Sequence, residues 1–192
     1  MGSPAATGQR HLPGDFAIWI FIYAELLVFG IFFLSYAFAR AGNPDLFNIH
    51  QQFLDRESGA LNTILLITSS WFVVRALNAI RADRGRACAR WLGLAILCGA
   101  AFVVIKSLEF KAKYAAGISL STNTFYMFYL SLTFFHFMHV LMGMVILGAV
   151  GTKALRGGYS AAAHTGVETG ASYWHMVDLV WIVLFPLVYL IR

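Results

Sequence analysis

Five side chains able to hold a proton or ligate a metal fall inside otherwise apolar stretches. Glu25 sits in Ile22-Tyr23-Ala24-Glu25-Leu26-Leu27, and His136 and His139 sit in Phe134-Phe135-His136-Phe137-Met138-His139-Val140. His175 and Asp178 sit in Tyr173-Trp174-His175-Met176-Val177-Asp178. Residues three apart on a helix share a face. His136 and His139 are therefore spaced to turn two imidazoles toward one metal or haem iron. A closed site needs further ligands, and the alternative use of the pair is hydrogen bonding between helices. His175 and Asp178 suit a carboxylate that orients an imidazole, behind a metal or as a structural pair. Glu25 suits proton handling, or packing as a hydrogen-bonded acid against a neighbouring helix.

The elements that must carry these groups are set by composition. The chain has 192 residues, of which 59% are hydrophobic and 12% charged, with a mean hydropathy of +0.70. A soluble domain carries about 25% charged residues, so the bilayer is the solvent to expect and a soluble enzyme is excluded. The formal charge of +5 does not indicate nucleic acid. The basic residues lie in short gaps between apolar runs and form no contiguous basic face. Cys88 and Cys98 are ten apart, about 15 Å along a helix, too far for a disulfide and wrongly spaced for a C-x-x-C site. Both read as structural.

Five apolar runs, at about 16–38, 60–80, 91–109, 124–150 and 173–191, each approach the roughly 20 residues needed to cross a hydrocarbon core. The expected fold is all-α, a polytopic bundle of five transmembrane helices forming one domain over 16–192. Residues 1–15 form a cytoplasmic N-terminal segment with no apolar signal-peptide core. Leu46, Ile49 and Phe53 recur at helical spacing, so 45–54 reads as a short interfacial helix. Pro186 interrupts the last run and is expected to kink it.

Loop charges orient the chain. With the N-terminus inside, eight basic residues are cytoplasmic, Arg10, Arg75, Arg81, Arg84, Arg86, Arg90, Lys153 and Arg156, against six outside, Arg40, Arg56, Lys106, Lys111, Lys113 and Arg192. The dense arginine loop between the second and third helices fixes an inside N-terminus and an outside C-terminus. Helical rise then puts Glu25, His139, Asp178 and His175 at about 14, 16, 9 and 4 Å from the cytoplasmic ends. These levels overlap, and they predict a polar layer in which the Glu25 and Asp178 carboxylates meet histidines of neighbouring helices. Glu168 is expected just before the last helix, at its N-terminus or against lipid headgroups. Lys106 and Glu109 read as an interfacial ion pair of little energy.

The motifs resemble a known family. Glu168-Thr-Gly-Ala-Ser-Tyr173-Trp174-His175-Met-Val-Asp178-Leu-Val-Trp181 resembles the E-x-x-x-x-Y-W-H-F-V-D-x-V-W signature of subunit III of haem-copper oxidases. Phe135-His136-Phe-Met-His139-Val140-Leu-Met-Gly143 is similar to that family's F-H-x-x-H-V-x-x-G helix, and Leu61-Asn62-Thr63 and Glu25 fall in matching places. Met176 replaces the usual Phe, and Ala24 stands where many members have a small hydroxyl residue. The chain resembles the five-helix form, and His11-Leu12-Pro13-Gly14-Asp15 leading into Ile18-Trp19 is similar to the NorE-like branch linked to nitric oxide reductases.

The resemblance implies a non-catalytic accessory subunit with no redox cofactor of its own. Haem and copper are then expected in a partner catalytic subunit of a terminal oxidase or nitric oxide reductase. It also implies bound phospholipid, support of proton uptake, and a bacterial inner membrane location. Glu25, His136, His139, Glu168, His175 and Asp178 would have structural or proton-related roles, with no catalytic or metal-binding residue. Two other readings stand beside it: a stand-alone membrane cytochrome or metal protein using His136, His139 and His175, and a small proton conductor using Glu25 and Asp178.

Overall fold

A computed structural model describes residues 15–191. Expectations that fall on residues 1–14 and 192, including Arg10, most of the His11–Asp15 lead and Arg192, lie outside the described residues. The elements are α1 (Phe16–Gly42), α2 (Pro44–Gln51), α3 (Arg56–Arg81), α4 (Gly85–Ala115), α5 (Thr124–Leu155) and α6 (Thr165–Phe185), which runs into a π-helical turn at Pro186–Leu190. Five of these helices are long and apolar enough to cross a membrane. The described residues contain no β-strand, only an isolated bridge between Ser160 and Ala163.

Each crossing helix extends past its apolar run at one or both ends. The run marks only the part in hydrocarbon, and polar residues continue the helix into the interface. Asp55 and Asn123 show how the starts are set: their side chains accept hydrogen bonds from Ser58 N and Tyr126 N, satisfying backbone donors that a helix start leaves open. α4 opens at Gly85 and so takes in Cys88, which is buried in the helix and not in a loop; both cysteines are free thiols. α6 starts at Thr165, eight residues before the expected boundary, so Glu168 lies inside its first turn.

The sequence pattern explains the packing. Apart from Ser70, the buried residues of α3 fall at 59, 62, 66, 69, 73, 76 and 80, and those of α4 fall at 88, 92, 95, 99, 102 and 106. Steps of three and four make a single seam along each helix, the geometry of knobs-into-holes packing. The seams use Gly59, Ser69, Ala76, Ala95 and Gly99, small residues that let helices approach where lipid supplies no hydrophobic drive between them. α5 is buried along much of its length, and α6 is the most buried of the crossing helices. α1 is an edge helix, buried only at Ile22, Phe29 and Tyr36, and packs on α5, α6 and α2.

Trp174 is held between two glycines. A Cβ added at Gly143 would stand 2.7 Å from Trp174 Cε3, and one at Gly99 2.9 Å from Trp174 Cη2. Glycines on α4 and α5 thus form a slot for one indole of α6, which is fully buried. At the other end, Pro186 does not simply bend α6. The helix widens into the π-turn, and side chains take carbonyls there and just after it: Gln51 Nε2 donates to Val188 O at 3.0 Å, and Arg40 donates to O of Ile191, the residue that follows the turn. Such rescue is what non-helical backbone in a membrane requires.

Candidate functional site

Glu25 and His139 come together from α1 and α5. Glu25 Oε2 lies 3.0 Å from His139 Nε2. His139 Nδ1 lies 2.8 Å from the Phe135 carbonyl oxygen, which can only accept, so this nitrogen carries a proton and donates. The other nitrogen then either accepts from a protonated Glu25 or, as imidazolium, donates to a carboxylate. The 3.0 Å geometry fits either form of the contact.

The surroundings of the pair are asymmetric. His139 is buried, with its ring against Phe29 and Phe135 at 5.3 and 4.7 Å between centroids. The Glu25 side chain keeps 20% of its surface exposed. The pair therefore opens on the Glu25 side, at the surface where α1 lies along the bundle, and is closed behind the imidazole. Tyr173 donates its hydroxyl to the His139 carbonyl at 3.3 Å, tying the site to α6.

The expected single polar layer divides. His136 does not join His139: its ring is fully buried among Phe102, Trp181 and Phe29, at 5.7, 5.1 and 6.5 Å between centroids. It makes no hydrogen bond to a described residue. Both nitrogens of His139 are engaged elsewhere, so the H-x-x-H spacing does not form a metal pair. Among the described residues no three His, Cys, Asp or Glu side chains gather at metal-binding range. Among the described residues, no histidine of a neighbouring helix pairs with Asp178 either. It is buried on α6 near its own His175, whose Nδ1 lies 3.3 Å from Ser70 Oγ of α3. Ser70 carried no signal in the sequence, since hydroxyls in a helix, here Thr68, Ser69 and Ser70 in a row, commonly bond their own backbone.

Glu168 takes Arg81 Nη2 at 3.0 Å and His164 Nε2 at 3.3 Å. It joins the end of α3 to the first turn of α6 and so has protein partners in addition to any headgroup. The Lys106–Glu109 pair differs most from expectation. Lys106 is fully buried, with Nζ 2.8 Å from Glu109 Oε2 and 2.5 Å from the Tyr189 hydroxyl. The Glu109 Oε1 atom accepts from the hydroxyls of Tyr189, at 3.0 Å, and Tyr129. This is a satisfied internal network joining α4, α5 and the π-turn, not an interfacial pair. The clue in the sequence was position: Lys106 continues the four-three seam of Cys88, Leu92, Ala95, Gly99 and Phe102.

Comparison with known proteins agrees with this architecture. The family model described as cytochrome c oxidase subunit III matches residues 11–191. Relatives include cytochrome c oxidase subunit 3 of Thermostichus vulcanus, 31% identical over 99% of this chain and 94% of the relative. That of Synechocystis is 33% identical over 92% and 75%. Cytochrome bo(3) ubiquinol oxidase subunit 3 of Pseudomonas aeruginosa is 29% identical over 91% and 83%. The match runs through all five crossing helices and through the α1, α5 and α6 segments that build the Glu25–His139 site, and the chain belongs to the cytochrome c oxidase subunit III family.

Proposed function

We propose that this chain is a non-catalytic accessory subunit of a respiratory haem-copper oxidoreductase in a bacterial inner membrane. It packs beside the catalytic subunit, retains phospholipid and supports proton uptake, while haem and copper reside in that partner. The observation that carries this reading is the Glu25–His139 pair within a chain of this family. It is a proton-sharing contact with one side open, on an edge helix, in a molecule with no gathered metal ligands among its described residues. The arginine-rich α3–α4 turn favours a cytoplasmic N-terminus and an outside C-terminus. The site then lies in the cytoplasmic half of the bundle, the half nearer the side from which protons are drawn. Residues 1–15 belong to the cytoplasmic face, and 16–192 act as one unit.

The five-helix length and the His11–Asp15 lead favour the NorE-like branch, with a nitric oxide reductase as the complex. The oxidase names of the relatives favour a terminal oxidase. The test is to purify the complex in mild detergent, identify the catalytic subunit that comes with this chain, and follow oxygen and nitric oxide consumption. Loss of this chain, or Glu25→Leu, is expected to leave the first turnovers intact, slow proton-limited turnover and shorten the working lifetime. Unchanged rates and lifetimes in its absence would overturn the proposal.

A further inference from the structure

The turn between α3 and α4 carries five arginines from Arg75 to Arg90, and one of them is held differently from a residue that only orients the chain. Arg75 lies six residues before the end of α3, so its backbone is about 9 Å inside the helix end along the axis. Its Cζ stands 5.6 Å from the ring centroid of Trp71 and 5.3 Å from that of Trp91. Trp91 is itself fixed, stacked on Phe72 at 5.7 Å and set edge-on to Trp71 at 5.9 Å. Two rings on two helices thus grip one guanidinium by cation–π attraction.

The grip leaves the hydrogen-bonding edge unused. Arg75 is exposed, and among the described residues no carboxylate or other acceptor pairs with it. The nearby acids are committed elsewhere, Glu168 to Arg81 and His164, and Asp83 to the backbone N–H of Ala161 at 2.5 Å. A cation held at interface depth without an internal anion is expected to take one from its surroundings. Beside it lies a depression of about 210 Å³ lined by Arg75, Asn78, Arg84 and Trp91. A second, of about 330 Å³, continues past Trp91 to Arg90 and Leu94. The first offers guanidinium forks and an amide, and the second an apolar wall facing the bilayer.

We propose that this outer face of the α3–α4 hairpin is a binding site for the phosphodiester headgroup of an anionic phospholipid. Arg75 is its central cation, and Trp91 and Leu94 receive the glycerol end of the chains. Guanidinium forks bind phosphate oxygens bidentately, and basic residues beside a membrane helix draw anionic lipid. The apolar wall selects lipid over free phosphate, which has nothing to lay against it. The site deepens the lipid-retaining part of the function proposed above, yet it depends only on this chain's own residues.

Native mass spectrometry of the full chain in detergent, titrated with phosphatidylglycerol, phosphatidylcholine or inorganic phosphate, tests it without the catalytic partner. Phosphatidylglycerol is expected to be retained several-fold better than phosphatidylcholine, and inorganic phosphate at equal concentration is expected not to displace it. Arg75→Gln should weaken that retention about fivefold, the scale of one basic residue's attraction to anionic lipid. Arg86→Gln, which removes the same charge from the turn, should have a much smaller effect. Unfolding temperatures of the lipid-free variants check that both are folded. Equal retention of the two lipids, displacement by phosphate, or equal losses in Arg75→Gln and Arg86→Gln would each overturn the site. None of these outcomes bears on whether the chain joins a haem-copper subunit.

Discussion

Glu25 and His139, 114 residues apart in the chain, meet at 3.0 Å with the second nitrogen of the imidazole committed to the Phe135 carbonyl. With that nitrogen donating, Nε2 either accepts from a protonated Glu25 or, as imidazolium, donates to its carboxylate. Glu25→Gln keeps a donor for Nε2 and is expected to fold nearly as well as the parent. Glu25→Leu leaves the imidazole nitrogen unpaired, at about 1–3 kcal/mol. Thermal unfolding in detergent separates the two. Infrared difference spectra should lose the carboxyl signal in both.

The indole slot sets a second expectation. Gly143→Ala would drive a methyl into Trp174, and Gly99→Ala would do so from the other side. Each should destabilise by about 1–3 kcal/mol, the usual range for overpacking. Nothing lies within 4 Å of a Cβ added at Gly93 or Gly148. Alanine there should be neutral or slightly stabilising through helix propensity, and denaturant or thermal unfolding of the four variants shows the contrast.

The buried Lys106 network gives a non-additive prediction. Lys106→Met strands the Glu109 carboxylate, whose side chain is only 7% exposed. Removing one partner of a buried pair typically costs about 3–5 kcal/mol. Adding Glu109→Gln removes the stranded charge while keeping an acceptor for the tyrosine hydroxyls. The double variant should therefore be more stable than Lys106→Met alone, and a double-mutant cycle on unfolding midpoints measures the difference.

Asp55 supplies a pH-dependent term outside the crossing helices. Hydrogen bonds from the Ser58 hydroxyl and then the Ser58 backbone N–H hold its carboxyl below the ordinary aspartate value of 3.8. With a folded value below the unfolded one, the cap's contribution is fully present above the unfolded value. It is lost as pH falls through the lowered, folded one. Asp55→Asn should keep most of the cap and remove this dependence, whereas Asp55→Ala should cost about 1 kcal/mol at neutral pH. Unfolding midpoints measured from neutral pH into the acid range test both.

Hydropathy is a local property, so the sequence by itself determined the membrane class, the five crossings and the short helix expected over 45–54, which runs over Pro44–Gln51. Local motifs likewise marked Glu25, His139, His175 and Asp178 as unusual. Helix ends were less legible because a helix continues into the interface on polar residues that resemble a loop, as at 85–90 and 165–172. Partnership was decided only by tertiary structure. Which groups meet depends on how each helix is rotated and on which neighbour stands at the same depth, and neither is written in a residue's own surroundings. That is why His136 and His139, three residues apart, end in an aromatic cage and a carboxylate contact, and why Lys106, which reads as a headgroup-facing cation, closes an internal network instead.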